Sequence, residues 1–352
     1  MKPFSICMIV KNEEKRIERC LSAASQLKAE IVVVDTGSTD RTKELAAKYT
    51  DQIYDFEWCK DFSKARNFSI EKASHDWILV LDCDEYVEKF DLKQIDEFLD
   101  PIFYGHVGAI LRRNQIAGEN VCMEDWVPRF FHRKYYKYEG SIHEQVVHKK
   151  GKDYSLCEIP ITVYHDGYVG SIEDIKAKAM RNETMLLEDL KTNPNKPYVY
   201  FQLGQAASLV GDSEKACNYY EQALTYDVDP QFPYVQRMII SYGETLLDLK
   251  EYEKALQLKG IYDEFATTSD FLCLMGLIYI RNNMPVNAIL EFMKALTVKE
   301  HFREDTGNTF PRYHIGMIYE AMGDIKNAVM FYESCGNYEP AKRKLAAIQN
   351  AK

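Results

Sequence analysis

Four glycines in the second half of this 352-residue chain are each followed, twelve residues later, by an alanine: Gly204 and Ala216, Gly243 and Ala255, Gly276 and Ala288, Gly316 and Ala328. A glycine inside a helical stretch costs about 1 kcal/mol against alanine. One kept at a fixed interval from a second small residue therefore reads as a point where two helices must approach closely. A bulky residue stands before each glycine, and an aromatic follows the alanine by four positions in three units (Tyr220, Phe292, Tyr332), with Lys259 departing. Spacing between units alternates between shorter and longer, so the connecting loops vary. A single such match is commonplace, but four with one interval specify an array of paired helices.

This array resembles the tetratricopeptide repeat, whose antiparallel helix pairs stack so that each unit covers the apolar face of the next. The resemblance implies a continuous concave groove that either holds a polypeptide or packs two copies of the chain as a homodimer through the repeats. The last stretch, "EPAKRKLAAIQNAK", puts Ala341, Leu345 and Ile348 at helical spacing with basic residues on the other face, which suits a cap. Ahead of the array, Ser171 opens a helix with Asp174 at capping-box distance, and "TNPNKP" ends it near Lys191. The expected division is a first domain over 1–170, a linking helix over 171–196, and repeats with a capping helix over 197–352.

The first half alternates apolar runs with amphipathic ones. "FSICMIV", "EIVVVD", "DQIYDF" and "WILVL" read as strands, and 13–24, 38–49 and 61–74 as the helices between them. Ser38, Thr39 and Asp40 are N-cap candidates for the second helix. Such alternation builds a mostly parallel sheet with right-handed crossovers, and ligands collect at the carboxyl ends of its strands. Asp35 ends the second strand, while Asp82 and Asp84 end the fourth, so all three should share one edge. Like charges this close repel and raise one another's pKa unless a positive group intervenes, and a divalent cation is the obvious candidate. Glu85 reads as a solvated strand-end acid, and Cys83 as pointing into the core. From Pro101 to Gly167 the pattern loosens into short β-like pieces that extend the sheet.

"ICMIVKNEE", "IVVVDTGSTDRT", "DFSKARNFSIEKA" and "WILVLDCDEYV" occur in that order, and together they resemble the family 2 glycosyltransferases of GT-A fold over roughly Phe4 to Gly167. The resemblance implies an α/β GT-A domain, a nucleotide-sugar donor, and a Mn2+ or Mg2+ ion that neutralises the diphosphate leaving group. It implies roles for particular residues. Asp84 is the metal ligand, joined by His165 of "VYHDGY", and Asp82 lies nearer the ribose and ion. Asp35 accepts from the uracil ring N–H, and Asn12 and Glu13 line the nucleotide edge. Arg66 and Asn67 face the nucleotide, and Arg129 contacts the diphosphate. The base that takes the acceptor's proton in an inverting transfer is Asp125, from a Glu-Asp pair, or Glu144 of "SIHEQV". Trp126 reads as core packing, and "TGST" as a turn and cap, because no phosphate-loop pattern accompanies it.

A GT-A domain followed by tetratricopeptide repeats, with "KNEEKRIERCL", "DFSKARN", "GSIHEQV" and "VYHDGY", further resembles the sublancin-type peptide S-glycosyltransferases. That implies a UDP-sugar donor and a peptide or protein acceptor, cysteine included. A lipid-linked or cell-surface glycan acceptor is the alternative, and a scaffold with a degenerate transferase domain is the non-enzymatic one. The net charge of −10 argues against nucleic acid, which needs a basic footprint. No apolar run reaches membrane-spanning length. Nine cysteines without a CxxC pair suit reduced thiols in the cytoplasm.

Overall fold

The computed structural model describes residues 2–115, 122–166, 172–192 and 194–350. The chain divides into two compact units, Met1–Ser171 and Ile172–Lys352.

The first unit runs β1 (Ser5–Val10), α1 (Ile17–Ser25), β2 (Glu30–Asp35), α2 (Thr42–Ala46), β3 (Ile53–Asp55), α3 (Phe62–Lys72), β4 (Trp77–Val80), β5 (Glu85–Phe90), α4 (Leu92–Phe98), β6 (His106–Gln115), β7 (Cys122–His132), β8 (Tyr136–Glu139), β9 (Gln145–His148) and β10 (Ser155–His165). Eight strands form one sheet in the order β3-β2-β1-β4-β7-β6-β10-β5, and β8 and β9 form a separate ribbon. Strands β3, β2, β1 and β4 are mutually parallel. Beyond β4 the sheet turns mixed, because β7 runs antiparallel to both β4 and β6, and β5 antiparallel to β10. The unbroken apolar runs of β1, β2 and β4 follow from burial on both faces. Ile6, Met8, Val33 and Leu79 belong to one core, while Cys7, Val32, Ile78 and Val80 belong to the other. Cys83 lies in the first of these cores, as expected.

Two local readings change. The first helix begins at Ile17 rather than Glu13, after a turn in which the Glu13 carbonyl accepts from the N–H groups of Arg16 and Ile17 (2.9 and 2.9 Å) and Arg16 departs from helical backbone at φ −118°. Glu85 is not the end of a strand but the start of β5. Of the three N-cap candidates, Asp40 meets the Thr42 N–H at 3.0 Å, while Ser38 and Thr39 bond to Asn12. Ser171 and the Asp174 side chain lie outside the described residues, as does Gly167.

In the second unit α5 (Ile172–Thr192) precedes α6 (Pro197–Leu209), α7 (Ser213–Leu224), α8 (Pro233–Asp248), α9 (Tyr252–Leu256), α10 (Tyr262–Phe265), α11 (Ser269–Arg281), α12 (Pro285–Ala295), α13 (Thr309–Ala321), α14 (Ile325–Glu333) and α15 (Glu339–Asn350). The glycines do what their spacing requires. A Cβ at Gly276 would stand 2.6 Å from the Phe292 ring, and one at Gly316 2.7 Å from the Tyr332 ring. Tyr220 fills the same place against Gly204. Where Lys259 replaces the aromatic, Leu258 and Leu274 cover Gly243 instead, and the second helix shortens to α9 and passes into a 3-10 turn over Gln257–Ile261. Ala341 of α15 is buried, with Leu345 and Ile348 packed beside it, so this helix covers the last pair. No helix among the described residues is long and apolar enough to cross a membrane. All eight described cysteines are free, and burial pushes the Cys7 thiol up to about 12.

Candidate active site

The carboxyl edge of β2, β1 and β4 gathers the acids, as parallel strands dictate. Asp35 is paired in register with Val10 at the end of β1. Its Oδ1 accepts from the N–H groups of Gly37 (2.9 Å) and Ser38 (2.8 Å), and its buried Oδ2 has no hydrogen-bond partner. Buried carboxylate oxygens are normally satisfied, so Oδ2 is an acceptor that lacks its donor. Asn12, in the left-handed region at φ 55°, fastens this edge: its Oδ1 accepts from the Thr39 N–H at 2.8 Å. The Glu13 N–H donates to Thr42 Oγ1 at 2.7 Å, and the Glu13 carboxylate pairs with Arg16 at 3.4 Å.

Two guanidinium groups meet the first acid of the Asp-x-Asp. Asp82 Oδ1 lies 2.7 Å from Arg66 Nη2, and its Oδ2 lies 2.7 Å from Arg129 Nη2. Burial pushes this carboxyl up, but Arg66 and then Arg129 outweigh it and hold it well below the usual carboxylate range. Glu85, expected at solvent, is 1 % exposed. It accepts the Asp82 N–H at 3.0 Å and faces Arg129 Nη2 at 3.1 Å and Arg112 Nη1 at 3.5 Å. Its burial is possible only because both arginines are there.

Asp84 is turned the other way. Its Oδ2 lies 3.3 Å from Nε2 of His165, which is itself buried at the end of β10. The carboxylate oxygen suits Mn2+ or Mg2+, and the imidazole nitrogen beside it suits Mn2+ better than the harder Mg2+. No group of three or more His, Cys, Asp or Glu placed to share a metal occurs among the described residues. Two protein ligands fit an ion of the kind that also keeps water and substrate phosphate oxygens.

The candidate bases are both held by arginine. Asp125 forms a two-point pair with Arg112 (Oδ1 to Nε 3.1 Å, Oδ2 to Nη2 2.7 Å), and Asn114 Nδ2 donates to the same Oδ1 at 3.0 Å. Glu144 accepts from Arg66 Nε. Arg66 therefore joins Glu144 to Asp82. Asn67 is bonded at both ends of its amide: it donates to the Tyr138 carbonyl (2.9 Å) and accepts the Tyr138 N–H (3.0 Å), clamping β8 against α3. Trp126, expected in the core, is 44 % exposed. It alternates with Asp125 along β7 and takes the opposite face.

Two residues of this constellation, Arg112 and Asn114, carry no motif in the sequence. They lie on the same face of β6, and Arg112 and Asp125 are direct cross-strand partners.

Residues 5–151 match glycosyl transferase family 2, and residues 197–229 and 312–342 match the tetratricopeptide repeat. The SPbeta prophage-derived glycosyltransferase SunS of Bacillus subtilis is 28% identical over 219 residues, covering 62% of this chain and 52% of SunS. A tetratricopeptide repeat-containing protein of Synechococcus elongatus is 29% identical over 231 residues, covering 64% of this chain and 57% of that protein. The chain thus spans about half the length of these curated relatives. Among solved structures, the crystal structure of MamA aligns with 50% of this chain and 98% of its own at 20% identity and a TM-score of 0.40.

Proposed function

We propose that the family 2 glycosyltransferase domain at residues 5–151, joined to tetratricopeptide repeats, moves a hexose from a UDP-sugar to a peptide or protein side chain. The observation that carries this is one strand edge presenting both an acceptor without its donor, Asp35 Oδ2, and an acid–imidazole pair, Asp84 with His165. Asp35 takes the uracil N–H. Asp84 and His165 hold Mn2+ or Mg2+, which when bound offsets the negative charge that grows on the departing diphosphate. The acceptor's S–H or O–H gives its proton to Asp125 or Glu144 as its sulfur or oxygen bonds to the anomeric carbon. The carbon–phosphate oxygen bond breaks with its electron pair leaving on UDP, and the configuration inverts. Asp125 is engaged by Arg112 at both carboxylate oxygens and has to loosen from it to accept that proton, whereas Glu144 meets Arg66 through Oε1.

The likeness to SunS and the sublancin-type resemblance support a peptide acceptor with cysteine as its nucleophile. The test is UDP release and product mass with a panel of UDP-hexoses, with and without Mn2+, against cysteine- and serine-bearing peptides. Expected are metal-dependent release, mass transfer to the cysteine peptide, and loss of turnover in Asp84→Asn with an unchanged circular dichroism spectrum. No release from any UDP-hexose would remove the reading.

A further inference from the structure

We infer that Asn114 is a positioning residue that decides which nitrogen of His165 carries the ring proton, and so which nitrogen faces Asp84. This rests on the reading of Asp84 and His165 as the pair that holds the ion. Asn114 is 7 % exposed, and strand register brings it into place. It pairs with His165 across β10 and β6, and with Met123 across β6 and β7.

The amide has only one workable orientation. Its Nδ2 faces the Met123 carbonyl at 3.2 Å and Asp125 Oδ1 at 3.0 Å. Both oxygens only accept, so reversing the amide would set oxygen against two oxygens. Oδ1 therefore points to His165 Nδ1, 2.8 Å away. An amide oxygen cannot donate, so Nδ1 must carry the hydrogen. The ring's other nitrogen, Nε2, is left toward Asp84 Oδ2 at 3.3 Å. In the neutral ring that sets a lone pair beside an anionic oxygen, an arrangement that a cation between them relieves. Histidine ligands are commonly oriented by a hydrogen bond from the second ring nitrogen. Here the acceptor is a neutral amide whose other end is fixed by Asp125, itself held at two points by Arg112. One side chain thus joins the proposed metal pair to a candidate base.

The test reads the tautomer directly in full-length, metal-free protein. Two-bond nitrogen–proton NMR in mildly alkaline buffer resolves the ring nitrogens of the 8 histidines, and His165 is assigned by its loss in His165→Gln. The expected signature is hydrogen on Nδ1. Asn114→Leu should shift it to Nε2 and weaken Mn2+ binding in the presence of UDP by about 10–100-fold. Hydrogen on Nε2 in the unaltered chain overturns the inference, and this measurement needs no variant at Asn114 to fold. An unchanged tautomer in Asn114→Leu overturns it as well. If hydrogen sits on Nδ1 but Mn2+ does not bind with UDP, the assignment of Asn114 is supported and the metal reading fails.

Discussion

Replacing Glu85 by glutamine distinguishes a solvated strand-end acid from a buried partner of two arginines. The substitution keeps size and one acceptor oxygen, which can still take the Asp82 N–H. It places an amide NH2 against Arg129 Nη2 and Arg112 Nη1, where a carboxylate now lies at 3.1 and 3.5 Å. Removing one member of a buried ion pair costs about 3–5 kcal/mol. Neither arginine is stranded, because Arg129 keeps Asp82 and Arg112 keeps Asp125. The expected loss is therefore at the low end, about 3 kcal/mol. A solvated acid would change stability by less than about 0.5 kcal/mol. The assay is urea unfolding followed by tryptophan fluorescence. Trp58, Trp77 and Trp126 all lie in the first unit, so the signal reports that unit alone. With a slope of about 2 kcal/mol per molar urea, the midpoint should fall by about 1.5 M. A shift below about 0.3 M, with the slope unchanged, would refute the view that Glu85 and the arginines stabilise one another.

Three further outcomes follow from the same geometry. Asp125→Asn and Glu144→Gln should separate by role: the true base loses transfer by about 10²–10⁴ while UDP-sugar binding persists, and equal modest losses in single-turnover assays would exclude both. Gly276→Ala should destabilise the repeats by about 1–3 kcal/mol through overpacking against Phe292, whereas Gly260→Ala, with nothing within 4 Å of the added Cβ, should not; thermal melts that shift equally would contradict the close-approach reading. Because the carboxyl of Asp82 is depressed in the folded state, its stabilisation is complete above the unfolded value of about 4 and is lost as pH falls toward the folded value. The tryptophan-detected urea midpoint should accordingly drop below about pH 4, with a shallower acid limb in Asp82→Asn.

The repeats were legible because one physical demand, a ring seated on a bare glycine backbone, recurs at a fixed interval. Even the departure at Lys259 marked the place where the second helix shortens to α9. The first four parallel strands were legible for a related reason: burial on both faces leaves continuous apolar runs, and parallel connection sends Asp35, Asp82 and Asp84 to one edge. The neutralisation of Asp82 and Glu85 was not legible. Asp82 is matched by Arg66 of α3 and Arg129 of β7, and Glu85 by Arg129 and by Arg112 of β6; β6 and β7 are distant in sequence and brought alongside only by antiparallel register. That register carries the ambiguity. Arg112 and Arg113 stand side by side in the chain, as do Glu124 and Asp125, so each neighbouring pair projects to opposite faces. Arg112 meets Asp125 at 2.7 Å, and Arg113 meets Glu124 at 3.1 Å. A slip of one residue would preserve the opposite charges nearby but move each side chain to the other face. Composition and local spacing are the same before and after such a slip. What separates them is the buried demand of Glu85 for a second positive group, which only the folded sheet expresses.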